Sequence, residues 1–466
     1  MGAQQSKELP IREKRRPVLA MTSPAEKDAN QKPNASVAPT KVLRDPSGLT
    51  IGTLSDWQSS FLKSPKNRLA LTALSSANPR EVLTSHLTEI VDQQVYNVQI
   101  PFEGGPITNQ RSSGRCWLFA STNVFRVAIM KKFHLKEFEL SQAWLFFWDK
   151  LEKSNWFLEQ IIDTADLDMD TRVVQALMGD IVSDGGQWDM VYNLVNKYGL
   201  VPQVLFPDGA NAKNSGVLNS VVKTRLRECA LVLRDMCKKE GVTAQQLAGA
   251  KEKMMQEIML IMTLALGQPP NPTEEFTWQY LDKNGKSQEV ITTPVAFAKD
   301  IYSSEFRVTS STIDGMVSLV NDPRHEDLSL MTVDRLGNIV GGRNVQYVNV
   351  SMEAMKKACV DMLKAGYPIF FGSDVGQFSN SKSGIMDLDL YDYELGFNVS
   401  LLEMSKAERL MTGESQMTHA MVLTAVHVDE KTGKTVRWRV QNSWGEDSGE
   451  KGWFVMSDAV SWAFPF

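Results

Sequence analysis

The sequence is poor in cysteine and histidine, and it has no long apolar run. Its 466 residues include four cysteines and five histidines. Four cysteines are too sparse for a disulfide framework, and their spacing matches no zinc-binding pattern. No stretch approaches the roughly 18 consecutive apolar residues of a membrane span, and no apolar segment follows the N-terminal charges as in a signal peptide. We therefore expect a cytoplasmic, reducing environment with free thiols, and we predict no metal site and no cofactor.

Charge and composition restrict the class of protein further. The formal net charge of −5 argues against a general nucleic-acid binder. Hydrophobic residues make up 42% of the chain and charged residues 23%, which is ordinary for a globular protein. Eleven Trp and twenty Phe can fill a sizeable core. The length allows one large domain or about two to three smaller ones.

Residues 1–48 form a separate compositional segment, which we predict to be disordered. It contains six prolines, and no aromatic residue precedes Trp57. A segment of this kind buries too little apolar surface to offset its ordering entropy. The first residues fit the N-myristoylation pattern at Gly2, so weak membrane contact through an acylated N-terminus is one interpretation, and a chance match in a flexible tail is the other. Glu8 and Glu13 interrupt the basic run and argue against a mitochondrial presequence.

Helical and strand patterns occupy different parts of the chain. Apolar spacing predicts helices that begin near Ser55, at Cys116 and after Ser141. Residues 216–267 indicate two more long helices, whereas a period of two becomes frequent from about Leu328. This order indicates the α+β class. The same order divides the globular part into a helical catalytic half (residues 49–215), an inserted helical segment (residues 216–305) and a β-rich catalytic half (residues 306–466).

Cys116 is the candidate nucleophile. It follows a turn-like run that ends at Gly114, and an apolar helical pattern starts with Trp117. A thiol at a helix N-terminus feels the positive end of the helix dipole, which favours the thiolate. A buried structural role is the alternative for any lone cysteine. We interpret the other three, which lie in helical patterns, as core or surface residues without a catalytic role: Cys229, Cys237 and Cys359.

His419 is the candidate base because of the residue predicted to lie opposite it. The segments on either side of residues 429–433 should form a hairpin, and the midpoint between positions 419 and 442, at 430.5, falls in that turn. His419 and Asn442 would then face each other, so that the Asn carbonyl accepts the imidazole N–H and orients the ring. His427 lies eight residues further along the same strand, and we interpret it as structural. The remaining histidines have helical or loop contexts: His86, His134 and His325.

Further groups complete the candidate site. Gln110 lies six positions before Cys116, where its amide can donate to the developing oxyanion together with the Cys116 backbone N–H. Trp444 follows the candidate Asn by two positions and can cover the His–Asn hydrogen bond. Gly185 and Gly186 offer backbone onto which a peptide substrate can add like a strand, and a plain turn is the alternative.

These residues resemble those of the papain-like cysteine peptidases, and within them the bleomycin hydrolase branch. The likeness is close at residues 109–117, 419–420 and 441–445, and it extends over roughly residues 50–458. The resemblance implies a papain-like fold with an N-terminal helical subdomain, an inserted helical hook and a C-terminal antiparallel β-barrel-like subdomain. It also implies a broad-specificity cysteine aminopeptidase that acts on peptides and bleomycin-like amides as a homohexameric ring.

The chain also departs from the papain pattern. Ser113 stands where secreted relatives have a disulfide-forming cysteine, and Arg115 replaces a small residue, as in the bleomycin hydrolase branch. The Cys-to-His separation, 419 − 116 = 303, is about twice the papain spacing and agrees with an inserted hook. Residues 459–466 do not resemble the arm with which relatives block one end of the cleft, so endopeptidase-like activity is an alternative. An inactive scaffold or nucleic-acid-binding ring and a Cys–His acyltransferase are further alternatives.

Overall fold

The structure is a computed structural model, and it describes residues 48–299, 301 and 316–463. The contacts between residues divide the chain into two units, 1–63 and 64–466. Nearly all of the tail predicted to be disordered, and Gly2 with its predicted acylation, lie outside the described residues.

The described part of the first unit contains helix α1 (Ile51–Phe61). Thr50 caps this helix, because its hydroxyl oxygen accepts the Thr53 N–H at 3.1 Å. The predicted start near Ser55 is therefore wrong. The hydroxyl that satisfies the first turn comes from Thr50, and Ser55 lies inside the helix.

The second unit contains both helices and strands. Its described α-helices are α2 (Pro65–Leu74), α3 (Pro79–Val82), α4 (His86–Val91), α5 (Cys116–Lys132), α6 (Gln142–Asp163), α7 (Arg172–Gly179), α8 (Trp188–Tyr198), α9 (Ala210–Lys213), α10 (Gly216–Lys238), α11 (Ala244–Leu266), α12 (Pro294–Lys299), α13 (Met352–Lys364), α14 (Tyr393–Phe397), α15 (Lys406–Thr412) and α16 (Asp458–Ala463). A 3-10 turn spans Gln203–Leu205. Its described strands are β1 (Val98–Gln99), β2 (Phe276–Leu281), β3 (Ser287–Thr292), β4 (Ser318–Val320), β5 (Leu330–Thr332), β6 (Gln346–Asn349), β7 (Ile369–Ser373), β8 (Ser379–Asn380), β9 (Ile385–Met386), β10 (His419–Val428), β11 (Thr435–Gln441) and β12 (Trp453–Ser457). Long helices come first and most strands come later, which confirms the α+β class.

Helices α5 and α6 form the centre of the helical part. Both are buried along most of their length, and Trp117 and Trp144 are among their fully buried side chains. The Ser141 hydroxyl accepts the Trp144 N–H at 3.0 Å and so caps α6, as predicted. Helices α10 and α11 pack against α6 and contribute apolar side chains to the same core. The predicted helix starts at Cys116 and after Ser141, and the two long helices that follow, are confirmed.

The principal sheet contains seven described strands in the order β1-β10-β11-β12-β9-β8, and β7 also pairs with β10. Every pair is antiparallel except β12 with β9. The predicted hairpin is the β10–β11 pair, and Gly433 supplies a positive φ of 69° in its turn. Smaller sheets join β2 to β3 and β4 to β6 to β5.

Helix α5 packs against strand β10, and this contact positions the candidate site. Cys116 is the first residue of α5, and His419 is the first residue of β10. The packing therefore joins the helical and β-rich parts of the second unit where both candidate residues lie. Within the described ranges, no helix combines the length and apolar character needed to cross a membrane.

Candidate active site

The candidate site lies in a cleft of about 440 Å³ within the second unit. Cys116, Gly185, Gly186 and His419 all line this cleft. Ala420, the residue after His419, also lines it, and its backbone N–H lowers the pKa of the Cys116 thiol. The fold thus brings the predicted nucleophile next to the predicted base.

Opposing effects act on the Cys116 thiol. Burial raises its pKa above the ordinary value, and the nearby Asp184 carboxylate adds to this rise. The backbone N–H groups of Ala420, Trp117 and Cys116 itself point the other way and lower the pKa. The helix N-terminus acts in the predicted direction, but burial outweighs it, because the thiolate would lose its hydration in the cleft. Burial therefore favours the neutral thiol, and a base must accept its proton for it to attack.

Asn442 holds the His419 ring. The His419 Nε2 and Asn442 Oδ1 atoms lie 2.8 Å apart, and both side chains are buried. The Ser443 N–H donates to the same Oδ1 at 2.7 Å, which fixes the orientation of the amide. His419 Nε2 must then be the donor, so that Nδ1 carries the lone pair that can accept a proton.

The hairpin reaches this contact with a shifted register. Val422 pairs with Gln441, and the same register continued along the strand places His419 opposite Trp444. The connecting loop spans residues 429–434, so its centre lies later than the midpoint predicted from the sequence. The Trp444 ring accordingly stacks on the His419 ring, with centroids 4.7 Å apart and planes inclined by 27°. This stacking places the indole over the imidazole and limits the access of water to it.

The His419 imidazole is neutral at rest. Burial lowers its pKa to about 4, and the Asn442 hydrogen bond opposes this shift with a smaller effect. Burial thus disfavours a lone charge on His419 just as it disfavours one on Cys116. Transfer of the thiol proton to His419 creates two opposite charges, and these attract each other strongly in a cleft of low dielectric constant.

The lowered pKa of His419 predicts a loss of stability in acid. Between pH 6.5 and pH 4 the unfolded chain protonates this residue before the folded protein does, so the free energy of unfolding falls as the pH is lowered. A shift from 6.5 to about 4 corresponds to about 3 kcal/mol. His419→Gln removes the titration, and we expect this variant to lose about 3 kcal/mol less than the wild type between pH 7 and pH 4. Urea unfolding at both pH values measures the difference, and equal losses would contradict the prediction.

Gln110 is held between the nucleophile's loop and the segment after β11. Its side-chain N–H donates to the Ser113 carbonyl at 2.7 Å, and its Oε1 accepts the Ser443 hydroxyl at 2.8 Å. Its backbone N–H donates to the Ser443 carbonyl at 2.8 Å. The side-chain nitrogen carries two hydrogens, so one remains to donate after the bond to Ser113 is made.

Gly186 cannot carry a side chain in this structure. A Cβ atom built on it would lie 2.6 Å from the Trp117 ring, well inside van der Waals contact. Among the residues that the structure describes, the Gly186 N–H and C=O have no hydrogen-bond partner. The neighbouring Gly185 carbonyl is different, because it accepts the Lys153 ammonium at 2.6 Å. Of the two glycines, both line the cleft, and it is the Gly185 carbonyl that is already bonded.

Sequence reasoning missed the charged groups buried beneath the site. Arg115 directly precedes the nucleophile, is fully buried and makes two 2.8 Å contacts with Asp208. Asp184 accepts the Gly114 N–H at 3.0 Å and pairs with Lys150 at 2.6 Å. The charge of Arg115 beside an apolar helix was a usable signal. The partners of these groups lie tens of residues away in sequence, so no local pattern identifies them.

Comparison with known proteins agrees with the fold and with its class of enzyme. A family model described as the peptidase C1-like family matches residues 48–466. Cysteine proteinase 1, mitochondrial, of Saccharomyces cerevisiae is 42% identical over 425 residues, which cover 90% of this chain and 86% of that protein. Human bleomycin hydrolase is 43% identical over 372 residues, which cover 78% of this chain and 80% of that protein.

A solved structure shows the same fold. PepW from Lactobacillus rhamnosis, which has a crystal structure, is 36% identical in sequence to this chain. The two structures superpose with a TM-score of 0.84, and the match covers 90% of this chain and 91% of that chain. The resemblance to the bleomycin hydrolase branch of the papain-like peptidases is thereby confirmed. The protein is a papain-like cysteine peptidase, and its chain belongs to the peptidase C1-like family.

Proposed function

We propose that Cys116, His419 and Asn442 act as nucleophile, base and orienting residue in the hydrolysis of peptide amides. One observation carries this proposal: His419, joined to Asn442 at 2.8 Å, lines the same cleft as Cys116. The neutral imidazole presents Nδ1 as a proton acceptor. A neutral thiol beside such a base is the resting form of a nucleophile that is activated by proton transfer.

The reaction follows from these groups. The proton of the Cys116 thiol moves to His419 Nδ1 as the sulfur attacks the carbonyl carbon of the substrate. The C–N bond then breaks, the imidazolium gives its proton to the leaving amine, and a thioester remains on Cys116. His419 takes a proton from a water molecule, which attacks the thioester and releases the carboxylic acid, and the proton returns to the thiol. Asn442 keeps Nε2 as the donor throughout, because its Oδ1 faces that nitrogen.

Gln110 and the Cys116 backbone N–H supply the oxyanion donors in this proposal. The Gln110 amide nitrogen has one hydrogen beyond the one that it gives to Ser113. The Ser443 hydroxyl binds the other end of the amide, so that the donor cannot swing out of the site. A donor held in place before the reaction stabilises the oxyanion without reorganisation, which is the largest single contribution in many enzymes of this type.

Substrate binding is proposed to use the Gly186 backbone and the apolar cleft. The N–H and C=O of Gly186, which have no partner among the described residues, can pair with an extended peptide as an added strand. The rest of the lining includes flexible apolar side chains, among them Met355, Met362 and Met417. Methionine adapts its shape to different neighbours, which supports broad specificity for the side chains of the substrate.

An aminopeptidase needs a group that receives the free amine of its substrate, and we propose Asp180 for this role. Among the described residues that line the cleft, Asp180 is the one with a carboxylate, and none of them is Lys or Arg. Asp180 is exposed and precedes Gly186 by six positions on the same segment. An ammonium group on a peptide aligned along that segment is therefore attracted to this carboxylate.

Turnover of aminoacyl-coumarin and dipeptidyl-coumarin substrates, with and without N-acetylation, tests this function. We expect the wild type to hydrolyse free-amine substrates faster, and Asp180→Asn to raise their KM about three- to fivefold, the scale of an exposed ion pair. Asp170→Asn, which removes the same charge from another exposed position, is the matched control and should leave KM unchanged. A wild type that hydrolyses none of these substrates would contradict the peptidase proposal. Equal KM for acetylated and free substrates would contradict the aminopeptidase proposal.

Assembly and organisation complete the proposal. The name of human bleomycin hydrolase makes bleomycin-like amides candidate substrates.

A homohexamer is supported by exposed apolar pairs on α10 and α11, Val217 with Val221 and Leu260 with Leu264, because such surface is usually covered in an assembly. We also retain residues 216–305 as an inserted hook between catalytic parts that comprise residues 49–215 and 306–466.

A further inference from the structure

Two buried lysines lie directly behind the substrate-binding glycines. The side chains of Lys150 and Lys153 on α6 are 1% and 6% exposed. Lys150 pairs with Asp184 at 2.6 Å, and Lys153 pairs with Asp149 at 2.7 Å. Both carboxylates are buried as well, so four charges that sum to zero are withdrawn from water. Burying charges costs free energy even when they are paired. A role in packing alone therefore does not account for four buried charges at this place.

The two ammonium groups bind the chain segment that leads to Gly186. Lys150 Nζ donates to the Val182 carbonyl at 2.6 Å. Lys153 Nζ donates to the Ser183 carbonyl at 3.0 Å and to the Gly185 carbonyl at 2.6 Å. Three carbonyls within four residues are therefore held from α6 immediately before Gly186, which lines the cleft.

The same cluster contacts the nucleophile's turn. The Asp184 carboxylate accepts the Gly114 N–H at 3.0 Å. The Asp184 backbone carbonyl accepts the Trp117 indole N–H at 2.6 Å. Lys153 Nζ also lies 5.1 Å from the centre of the Trp117 ring, in cation–π geometry. The residues on either side of Cys116 and the segment before Gly186 are thus bonded to one charged cluster.

We propose that Lys153 is a positioning residue, which together with Asp149, Lys150 and Asp184 sets the Gly186 backbone at the correct distance from Cys116. We name these four residues the lysine clamp. The inference rests on the proposed function, since it assigns the clamp to the substrate backbone of that site. Its physical basis is that attack on an amide requires near-contact alignment, and a displacement of about 1 Å can cost about a hundredfold in rate.

The test compares two reagents that alkylate Cys116. Iodoacetamide requires the thiol and its base, whereas a dipeptidyl chloromethyl ketone must also be aligned along the Gly186 backbone. We expect Lys153→Met to lower the second-order rate constant for the peptidyl reagent at least about tenfold and to change that for iodoacetamide by less than about twofold, since only alignment is lost. Lys356→Met is the matched control, because Lys356 is another buried lysine that pairs with a carboxylate, Asp458, at 2.7 Å. Its ratio of the two rate constants should equal that of the wild type.

A second variant is the control for misfolding. Lys153→Met leaves Asp149 buried without its cation, whereas the double variant Asp149→Asn/Lys153→Met removes both charges. The amide oxygen of the new Asn can still accept the Asn338 amide, which donates to Asp149 Oδ1 at 3.2 Å. The clamp is overturned if a folded variant keeps the wild-type ratio, or if both rate constants fall by the same factor. Peptide turnover by the wild type is recorded separately, so failure of the proposed function is distinguished from failure of the clamp.

Discussion

Cys116→Ser is expected to lower kcat/KM for peptide hydrolysis by about a thousandfold or more, the scale seen when a catalytic nucleophile is replaced. The substitution changes one atom, but a hydroxyl releases its proton far less readily than a thiol. The cleft offers little help, because burial lowers the pKa of His419 to about 4 and so makes it a weak base. Burial also disfavours an anion at this position, since it raises the pKa of the Cys116 thiol. An alcohol is a much weaker acid than a thiol, so this base activates the serine variant far less effectively.

The measurement is kcat/KM with an aminoacyl-coumarin, together with the thermal unfolding midpoint. The midpoint should remain close to that of the wild type, because Cys116 lies at the cleft and its replacement leaves no core cavity. Cys237→Ser is the matched control, since Cys237 is an exposed thiol on α10. It should retain wild-type kinetics. Substantial turnover by Cys116→Ser would show that another group attacks the substrate.

His419→Ala is expected to lower kcat/KM by about a thousandfold or more as well, because the neutral thiol then has no base. Alkylation of Cys116 by iodoacetamide at neutral pH should slow in parallel, which separates this variant from the lysine-clamp variants. Asn442→Ala should cost less, about ten- to a hundredfold, on the scale of removing a group that supports a catalytic residue. This variant keeps the base but no longer fixes which ring nitrogen of His419 carries the proton. The stacked Trp444 still restrains the ring.

His427→Ala is the matched control for this pair. His427 lies on the same strand β10, but it pairs with Arg437 at the other end of the hairpin. We expect unchanged kinetics, in agreement with the structural role predicted from its position. An iodoacetamide rate that stays at the wild-type value in His419→Ala would contradict the assignment of His419 as the base.

Local patterns predicted the elements that carry the site. The start of α5 at Cys116 and the cap of α6 at Ser141 follow from side chains within one helical turn of the helix end. The hairpin joins segments separated by a short loop, so its approximate centre could be located from the sequence. The loop then shifted the register, because its length and turn geometry set which residues face each other. Trp444 consequently lies over His419, while the Asn442 side chain still reaches the ring.

Long-range groups escaped prediction for a different reason. Lys150 and Asp184 are 34 positions apart, and Arg115 and Asp208 are 93 apart, so their pairing depends on how the helices pack. The state of the Cys116 thiol shows the same limit. Its helix N-terminus was visible in the sequence, whereas the burial that raises its pKa exists only once β10 covers α5.

The sequence by itself therefore determined the chemical identities: a cysteine at a helix start, a histidine and an asparagine at the open end of one hairpin, and a glutamine six positions before the cysteine. These follow from local capping, periodicity and hairpin geometry, which act over a few residues. Only the tertiary structure decided that burial favours the neutral forms of Cys116 and His419, and that buried lysines hold residues 182–185. It also decided that the Gly185 carbonyl is bonded, whereas the described residues offer no partner to the N–H or C=O of Gly186. Desolvation and charge pairing depend on all the atoms that surround a group, and packing brings those atoms from distant parts of the chain.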